Sequence, residues 1–316
     1  MMNPLFQELK SLLDSFKQSR IVIATHEDPD LDAIGSSLAF HFQLQKHGFN
    51  SMVWSADISN KFFHFLPKYS CIKKYLPHDY DILITLDASS LERIKKYEEL
   101  KTKDDLIALI NIDHHQDNTQ FGSLNIYQHI SSVGELSFLI FDAFGWELDS
   151  DIATCLYAAI SFDTGRFQHN TVTAQSLDIA SKLVSIGANP CHIASHIYDT
   201  YTLDTLSVIN SSLNHLVTDF QYRFAYTILE DPSSRCGPEV MDLIRKLAGI
   251  DIFLVIRQYD SHMVKISLRS KTDFNVAQFA AQFGGGGHNK AAGITMEGHV
   301  QDVESIIIKS LKDKIK

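Results

Sequence analysis

IVIATHEDPDLDAIGSSLAFHFQLQKH, residues 21–47, reads as a strand, an acidic turn and a helix. IVIAT (21–25) is apolar on both faces, as a strand inside a parallel sheet must be. Asp32 to His47 follows a helical pattern. The same alternation continues downstream. MVW (52–54), DILITLD (81–87), LIALINID (106–113) and LNIY (124–127) read as further buried strands. Helical patterns cover 133–145, 151–162, 173–186 and 190–213. Repeated strand–helix–strand units predict a parallel sheet with helices on both faces.

The second half differs. YRFAYTIL (222–229), IFLVIRQ (252–258) and MVKISLRS (263–270) read as strands, the last two joined by a turn at Tyr259–His262 into an antiparallel pair. A helix (275–283), a glycine run (284–287), a short strand (293–297) and a closing helix complete an α+β unit. The fold expected is therefore α/β: an N-terminal parallel-sheet lobe over 1–195, a helical linker over 196–213, and a smaller α+β lobe over 214–316. A length of 316 residues suits two domains, each long enough to bury a core.

The formal net charge is -10. Proteins that grip long nucleic acids by the backbone are usually basic, so this balance points away from long polymers and leaves small phosphorylated ligands open. Cys71, Cys155, Cys191 and Cys236 form no CxxC pair, which argues against a structural zinc site and suits a reducing compartment. The N-terminus is an amphipathic helical pattern rather than a signal peptide. No apolar run approaches the ~20 residues of a membrane span. A cytoplasmic protein without membrane contact is expected.

Most of the N-terminal strands run into acids or histidines: His26, Asp30 and Asp32 after the first, Asp87 after the third, and Asp113, His114 and His115 after the fourth. A later helix ends at Asp163. Ligands of open parallel sheets bind beyond the carboxyl ends of the strands, so these residues can converge. Aspartate with histidine suits manganese, and magnesium where histidine is fewer. Two divalent ions would balance Asp30, Asp32, Asp87 and Asp163, and a shared aspartate can hold two ions about 3.5–4 Å apart, the spacing of in-line displacement at phosphorus.

Each piece also has an ordinary explanation. Asp32 and Asp87 can cap helices, Asp163-Thr164-Gly165 can be a plain helix terminus, and His114-His115 a solvated turn. Their joint placement at strand ends favours a site.

HEDPDLDAIGS (26–36), LD (86–87), DHH (113–115) and DTGRF (163–167), in this order, resemble the four motifs of the DHH phosphoesterase superfamily. GGGGHNKAAG (284–293) resembles the signature of the DHH-associated domain. The size and layout look like the bacterial nano-RNase and pAp-phosphatase group, whose members degrade oligoribonucleotides of a few residues and dephosphorylate 3′-phosphoadenosine 5′-phosphate (pAp). The resemblance implies a metal-dependent hydrolase with two divalent ions, manganese first and magnesium or cobalt as substitutes. It implies that His26, Asp30 and Asp87 hold one ion, and that Asp32, Asp87, His114 and Asp163 hold the other. Asp113 would orient its neighbours and His115 would face the scissile phosphate. Arg269, with Gly285, Gly286, Gly287 and His288, would hold the far end of the substrate. A homodimer is a further implication, as is an active site in the cleft between the lobes.

Two positions depart from the family pattern Asn-Pro-Asp-Gly-Asp: Asp28 replaces asparagine and Leu31 replaces glycine. Leucine matters only if that position needs a positive φ. The glycine run reads either as a linker or as a backbone cradle for phosphate; the second is favoured, because no further domain follows it. His192 and His196 stand at i, i+4, but no third ligand accompanies them, and a solvated helix face is the simpler reading.

A cyclic dinucleotide phosphodiesterase and a single-strand exonuclease are the enzymatic alternatives. Pyrophosphatases with the same N-terminal motifs lack the glycine signature. A nucleotide-sensing or RNA-binding module is the alternative outside enzymes, and the full ligand set argues against it.

Overall fold

The computed structural model describes residues 2–56, 63–100, 105–229, 236–260 and 262–315. The chain divides into two compact units, Met1–Thr200 and Tyr201–Lys316.

The first unit runs α1 (Pro4–Ser15), β1 (Arg20–Thr25), α2 (Leu31–Lys46), β2 (Asn50–Trp54), β3 (Ile82–Leu86), β4 (Ala108–Asp113), β5 (Leu124–Tyr127), α3 (Val133–Phe144), α4 (Ser150–Asp163), α5 (Ala174–Ile186) and α6 (Pro190–Tyr198). Its five strands are all parallel, in the order β2-β1-β3-β4-β5. The expected alternation is present because these strands are buried on both faces. Ile21, Ile23, Ile82, Ile84, Ile110 and Ile112 pack against the α-helices. Val22, Ala24, Leu83 and Leu109 pack on the opposite face against Trp54, Tyr80, Ile94 and Leu100. The helices on that second face are short 3₁₀ turns, Leu91–Arg93 and Tyr97–Glu99.

This strand order reverses between β1 and β3. A crevice opens at such a switch point, beyond the carboxyl ends of the two strands. The turn after β1 ends in a capped helix. Asp30, not Asp32, is the N-cap of α2: its Oδ1 accepts from the backbone N–H of Asp32 at 2.8 Å and of Ala33 at 3.0 Å. Leu31 is the first helical residue and is fully buried, so the leucine-for-glycine exchange places no side chain in a left-handed backbone. The left-handed residue of this turn is Asp28, at φ 46°; aspartate and asparagine tolerate that region better than most.

Farther along α2, His41 is 5% exposed and its Nδ1 lies 2.9 Å from Ser51 Oγ. Burial, with help from the Lys68 charge, pulls its pKa from 6.5 to about 4. The unfolded chain therefore takes up a proton near pH 6.5 that the folded one refuses until about pH 4. Stability is lost as pH falls through that window, by about 3 kcal/mol. Urea unfolding at pH 7 and pH 4.5 measures it. In His41→Gln the pH 7-to-4.5 difference should shrink by most of that amount; an unchanged difference would refute the assignment.

The second unit contains α7 (Leu203–Asn214), β6 (Val217–Asp219), β7 (Phe224–Leu229), α8 (Gly237–Ile244), β8 (Ile252–Gln258), β9 (Met263–Ser270), α9 (Val276–Ala281), β10 (Gly286–His288), β11 (Ala291–Glu297) and α10 (Val300–Ile315). Its mixed sheet has the order β10-β11-β9-β8-β7-β6. β8 and β9 pair antiparallel, from Ile252↔Ser270 to Gln258↔Val264, across a turn of which Ser261 lies outside the described residues. β7 and β8 are parallel, and a parallel pair needs a crossover. Helix α8 lies between them in sequence and packs Val240, Met241 and Ile244 onto Phe253 and Val255. On the other face, α9 and α10 contribute Val276, Phe279, Val303, Ile307 and Leu311.

The helical pattern over 190–213 is two helices rather than one. α6 stops at Tyr198, and Thr202 starts α7 by accepting from Thr205 N at 3.1 Å. Among the described residues, no helix is long and apolar enough to cross a membrane.

Candidate metal centre

The carboxyl ends of β1, β3 and β4 deliver seven of the eight residues singled out in the first unit, and the end of α4 delivers Asp163. The structure brings them together. Ligand atoms lie within 4.8 Å of one another in three overlapping sets: His26 with Asp30 and Asp87; Asp32 with His114 and Asp163; and Asp87 with His114 and His115.

Asp87 stands between the sets. Its Oδ2 lies 3.6 Å from His26 Nε2, while its Oδ1 lies 3.5 Å from His114 Nε2 and 3.5 Å from His115 Nδ1. The side chain is 2% exposed, and Oδ1 forms no hydrogen bond among the described residues. An unpaired buried carboxylate oxygen is costly, and one that faces two imidazole nitrogens is placed for a cation. Asp87 also adopts φ 60°, a left-handed backbone that turns the chain at the end of β3.

The histidines are preset. His26 Nδ1 lies 2.6 Å from Glu27 O, and His114 Nδ1 lies 3.1 Å from Ile130 O. A carbonyl only accepts, so Nδ1 carries the proton and Nε2 offers its lone pair to the centre. His115 differs: its Nδ1 lies 2.8 Å from Asp113 Oδ1, so this ring is held by a carboxylate rather than a carbonyl. Asp113 is fully buried, with its Oδ2 accepting from Asn118 Nδ2 at 2.5 Å. Both its oxygens are thus engaged by side chains. Asn118 is a residue that motif spacing did not mark, since it sits in an irregular loop.

Asp32 is fixed by a helix terminus. Its Oδ2 accepts from Val133 N at 2.7 Å and its Oδ1 from Gly134 N at 2.8 Å, the first N–H groups of α3. Gly134 is needed there, because a Cβ on it would meet Ala159 Cβ at 2.7 Å. Asp32 Oδ2 is 3.9 Å and Asp163 Oδ2 3.5 Å from His114 Nε2.

Charge crowding follows. Burial, then the Asp87 charge, pushes the Asp30 and Asp32 carboxyls above their usual range. Burial raises Asp163 to about 7. Burial also works against Asp87, but the adjoining His26, His114 and His115 rings hold it below the ordinary value. For His115, burial is outweighed by the Asp113 hydrogen bond and nearby carboxylates, and the ring rises to about 9. Four carboxylates held this closely lack positive charge, which divalent cations supply, and the mixed oxygen and nitrogen donors suit them.

The remaining candidates lie in the second unit. Arg269 pairs across β9 and β11 with Ala291, and Ala291 pairs with His288 on β10. The next row on the same face is Ser267, Gly293 and Gly286. Arg269 is half-buried and forms no ion pair among the described residues; its Nη1 donates to Leu268 O at 2.9 Å. The glycine run is not a linker, since Gly286 and Gly287 form an edge strand. Gly287 has φ 139°, and a Cβ on it would meet Ala291 O at 2.5 Å. Gly285 and Gly287 thus permit close backbone approach to β11, while Gly286 faces open space. His192 and His196 are exposed, with ring centroids 4.3 Å apart, and join none of the three ligand sets.

The DHH family N-terminal domain matches residues 20–160, and the DHHA1 domain matches 222–316. The bifunctional oligoribonuclease and PAP phosphatase NrnA of Thermus thermophilus is 30% identical over 288 residues, covering 88% of this chain and 84% of the relative. The chain belongs to the DHH family. NrnA of Mycoplasma genitalium is 26% identical, covering 95% of this chain and 96% of the relative. Among solved structures, an exopolyphosphatase-related protein from Bacteroides fragilis shares the fold with a TM-score of 0.90 and 24% identity, over 98% of this chain and 96% of that one. As a DHH phosphoesterase, the chain is a divalent-metal-dependent hydrolase.

Proposed function

We propose that this DHH phosphoesterase hydrolyses short oligoribonucleotides to mononucleotides and pAp to AMP, with two manganese ions as cofactor. The observation that carries the reading is Asp87, whose two carboxylate oxygens face separate ligand sets. His26 and Asp30 complete one set; Asp32, His114 and Asp163 complete the other. Two divalent ions bound there supply an acidified water as nucleophile and neutralise charge on the phosphoryl oxygens. Asp113 holds His115 by Nδ1, and the protonated ring would meet the scissile phosphate through its Nε2–H, where a fixed donor offsets developing charge.

In the second unit, Ser267, Gly293 and Gly286 give the β9–β11–β10 surface a nearly flat floor, bordered by Arg269 and His288. A floor without bulky side chains suits a sugar–phosphate, and an arginine that pairs with no carboxylate among the described residues suits a phosphate, which it can grip through two oxygens. The names of the relatives, which span nearly the same length, favour short RNA and pAp over cyclic dinucleotides and long strands.

A substrate panel with manganese tests this: an RNA dinucleotide, a long single strand, pAp, cyclic di-AMP and pyrophosphate, each with and without chelator. Rapid, chelator-sensitive loss of the dinucleotide and pAp is expected, with the long strand spared. Preference for the cyclic dinucleotide or the long strand would reassign the substrate. Nucleotide binding without hydrolysis would replace the enzyme with a sensor. Arg269→Ala should raise KM for pAp by ~10- to 100-fold, the worth of a charged hydrogen bond, with kcat little changed. Loss of a bound ion in that variant would contradict the assignment.

A further inference from the structure

Behind His115 lies a chain of buried amide and hydroxyl groups that no motif marks. Thr85, in β3, and Asn111 and Asp113, in β4, are 0%, 1% and 0% exposed, so each of their polar atoms needs a partner. Thr85 Oγ1 donates to Ile110 O at 3.3 Å and accepts from Asn111 Nδ2 at 3.0 Å. Asn111 Nδ2 spends its second hydrogen on Ala88 O, also at 3.0 Å. Both donors of Asn111 are then used, and its Oδ1 is left as an acceptor. Asn118 fills that place: its Nδ2 donates to Asn111 Oδ1 at 2.7 Å and to Asp113 Oδ2 at 2.5 Å. Its own Oδ1 accepts from Gln120 N at 2.7 Å. The remaining Asp113 oxygen, Oδ1, receives His115 Nδ1.

Direction runs through this chain without choice. Ala88 O and Ile110 O are carbonyls and only accept, which orients Thr85 and the Asn111 amide. The Asn111 orientation fixes that of Asn118, since a flipped Asn118 would set its oxygen against both the Asn111 oxygen and the Asp113 carboxylate. Asn118 in turn holds Asp113 Oδ2, so only Oδ1 is presented to the imidazole. The result is one ring orientation of His115, with its Nδ1–H held on Asp113 Oδ1.

We infer that Asn118 is a positioning residue for the hydrolytic reaction, clamping Asp113 so that His115 is held in its reactive orientation. The inference rests on the proposed role of His115 facing the phosphate. The Asn118 side chain hydrogen-bonds to none of the predicted metal ligands among the described residues, and a side-chain substitution keeps its backbone bond to His115 O, so its action on turnover passes through Asp113. Partners of this kind are worth about 10- to 100-fold in activity.

The experiment is a mutant cycle on the full-length, metal-loaded protein with pAp as substrate, reading kcat, KM, metal stoichiometry and melting temperature. Asn118→Ala should lower kcat by about 10- to 100-fold, with KM within about twofold and both ions still bound. The double variant Asp113→Ala with Asn118→Ala should be no slower than Asp113→Ala alone, because a clamp has nothing to act on once its carboxylate is gone. Asn118→Asp, of nearly the same shape but with an acceptor in place of the donor, should be at least as impaired as the alanine variant. Should Asn118→Ala fail to fold, Asn118→Asp and Asn118→Ser carry the same comparison. A near-normal kcat in the folded variants, or losses that multiply in the double variant, would overturn the inference. His115→Ala tests the underlying reading separately: full activity there would remove the proposed role of His115, whatever Asn118 does.

Discussion

Asp87→Asn should lower turnover by about a thousandfold or more and abolish tight binding of both ions, since several kcal/mol of charge stabilisation pass through this one side chain. The exchange keeps the shape of the residue and one carbonyl oxygen. It replaces the other oxygen with an NH₂ that has no lone pair to give. Oδ2 faces His26 and Oδ1 faces His114 and His115, so either amide orientation spoils one ligand set and removes a negative charge from both. The fold should survive. Asparagine tolerates the φ of 60° at this position better than other uncharged residues, whereas alanine would add backbone strain to the loss of the ligand. Calorimetric titration of the metal-free variant with manganese, beside pAp turnover, checks the result. Two tightly bound ions with activity within tenfold of the parent would rule out a shared aspartate. Asp113→Asn is the informative contrast: both Asp113 oxygens are already taken by His115 and Asn118, so the ions should remain while turnover falls.

The parts of this centre that were legible in sequence are those whose position follows from strand ends. His26, Asp87 and His114 each leave a run of apolar residues that can only be a buried strand, and parallel strands finish on one side of the sheet. Asp163 was legible as the end of an apolar helix, and α4 packs against α2, the helix that carries Asp32. What stayed hidden depends on local backbone detail. Motif position alone did not show that Asp30, rather than Asp32, caps α2, freeing Asp32 to meet the N-terminus of α3. The leucine at position 31 looked like a departure with consequences, yet it occupies an ordinary first helical turn, and the left-handed residue lies three positions earlier.

In the second unit, α8 was not anticipated, although Pro238 near its start and apolar residues at 240, 241 and 244 carry a short helical signal. Without it the parallel pairing of β7 and β8 has no crossover. Asn118 is the harder case. It lies five residues past Asp113 in a loop, where no periodicity relates one side chain to another, and only coordinates reveal that its amide meets two buried oxygens.

Asp163→Asn should destroy turnover and, in the metal-free protein at pH 8, raise the melting temperature. The two effects share a cause. Asp163 is pushed up to about 7 from 3.8, chiefly by burial, with Asp87 and Asp30 adding to it and His114 opposing. An unfolded chain gives up this proton near 3.8, whereas the folded one keeps it until about 7. Folded stability therefore falls as pH rises through that interval, and the full cost, on the order of 4 kcal/mol, stands above it. Asparagine cannot ionise and escapes that cost, which for a unit of this size corresponds to roughly 8–16 °C. The advantage should shrink as pH falls toward 3.8, below which Asp163 is protonated in both states. Saturating manganese or magnesium should reverse the order, because a cation favours the ionised carboxylate and the parent gains more from binding than the variant does. Asp32 separates this account from a general relief of charge. Its carboxyl is also raised, but its oxygens accept from Val133 N and Gly134 N, so Asp32→Ala leaves a buried helix terminus unsatisfied and should lower the metal-free melting temperature. Melting curves of the three proteins at pH 5 and pH 8, with and without the ion, decide the matter. An Asp163→Asn protein less stable than its parent at pH 8 without metal would mean that the carboxylate is satisfied by the protein alone, and the case for cations at that position would fail.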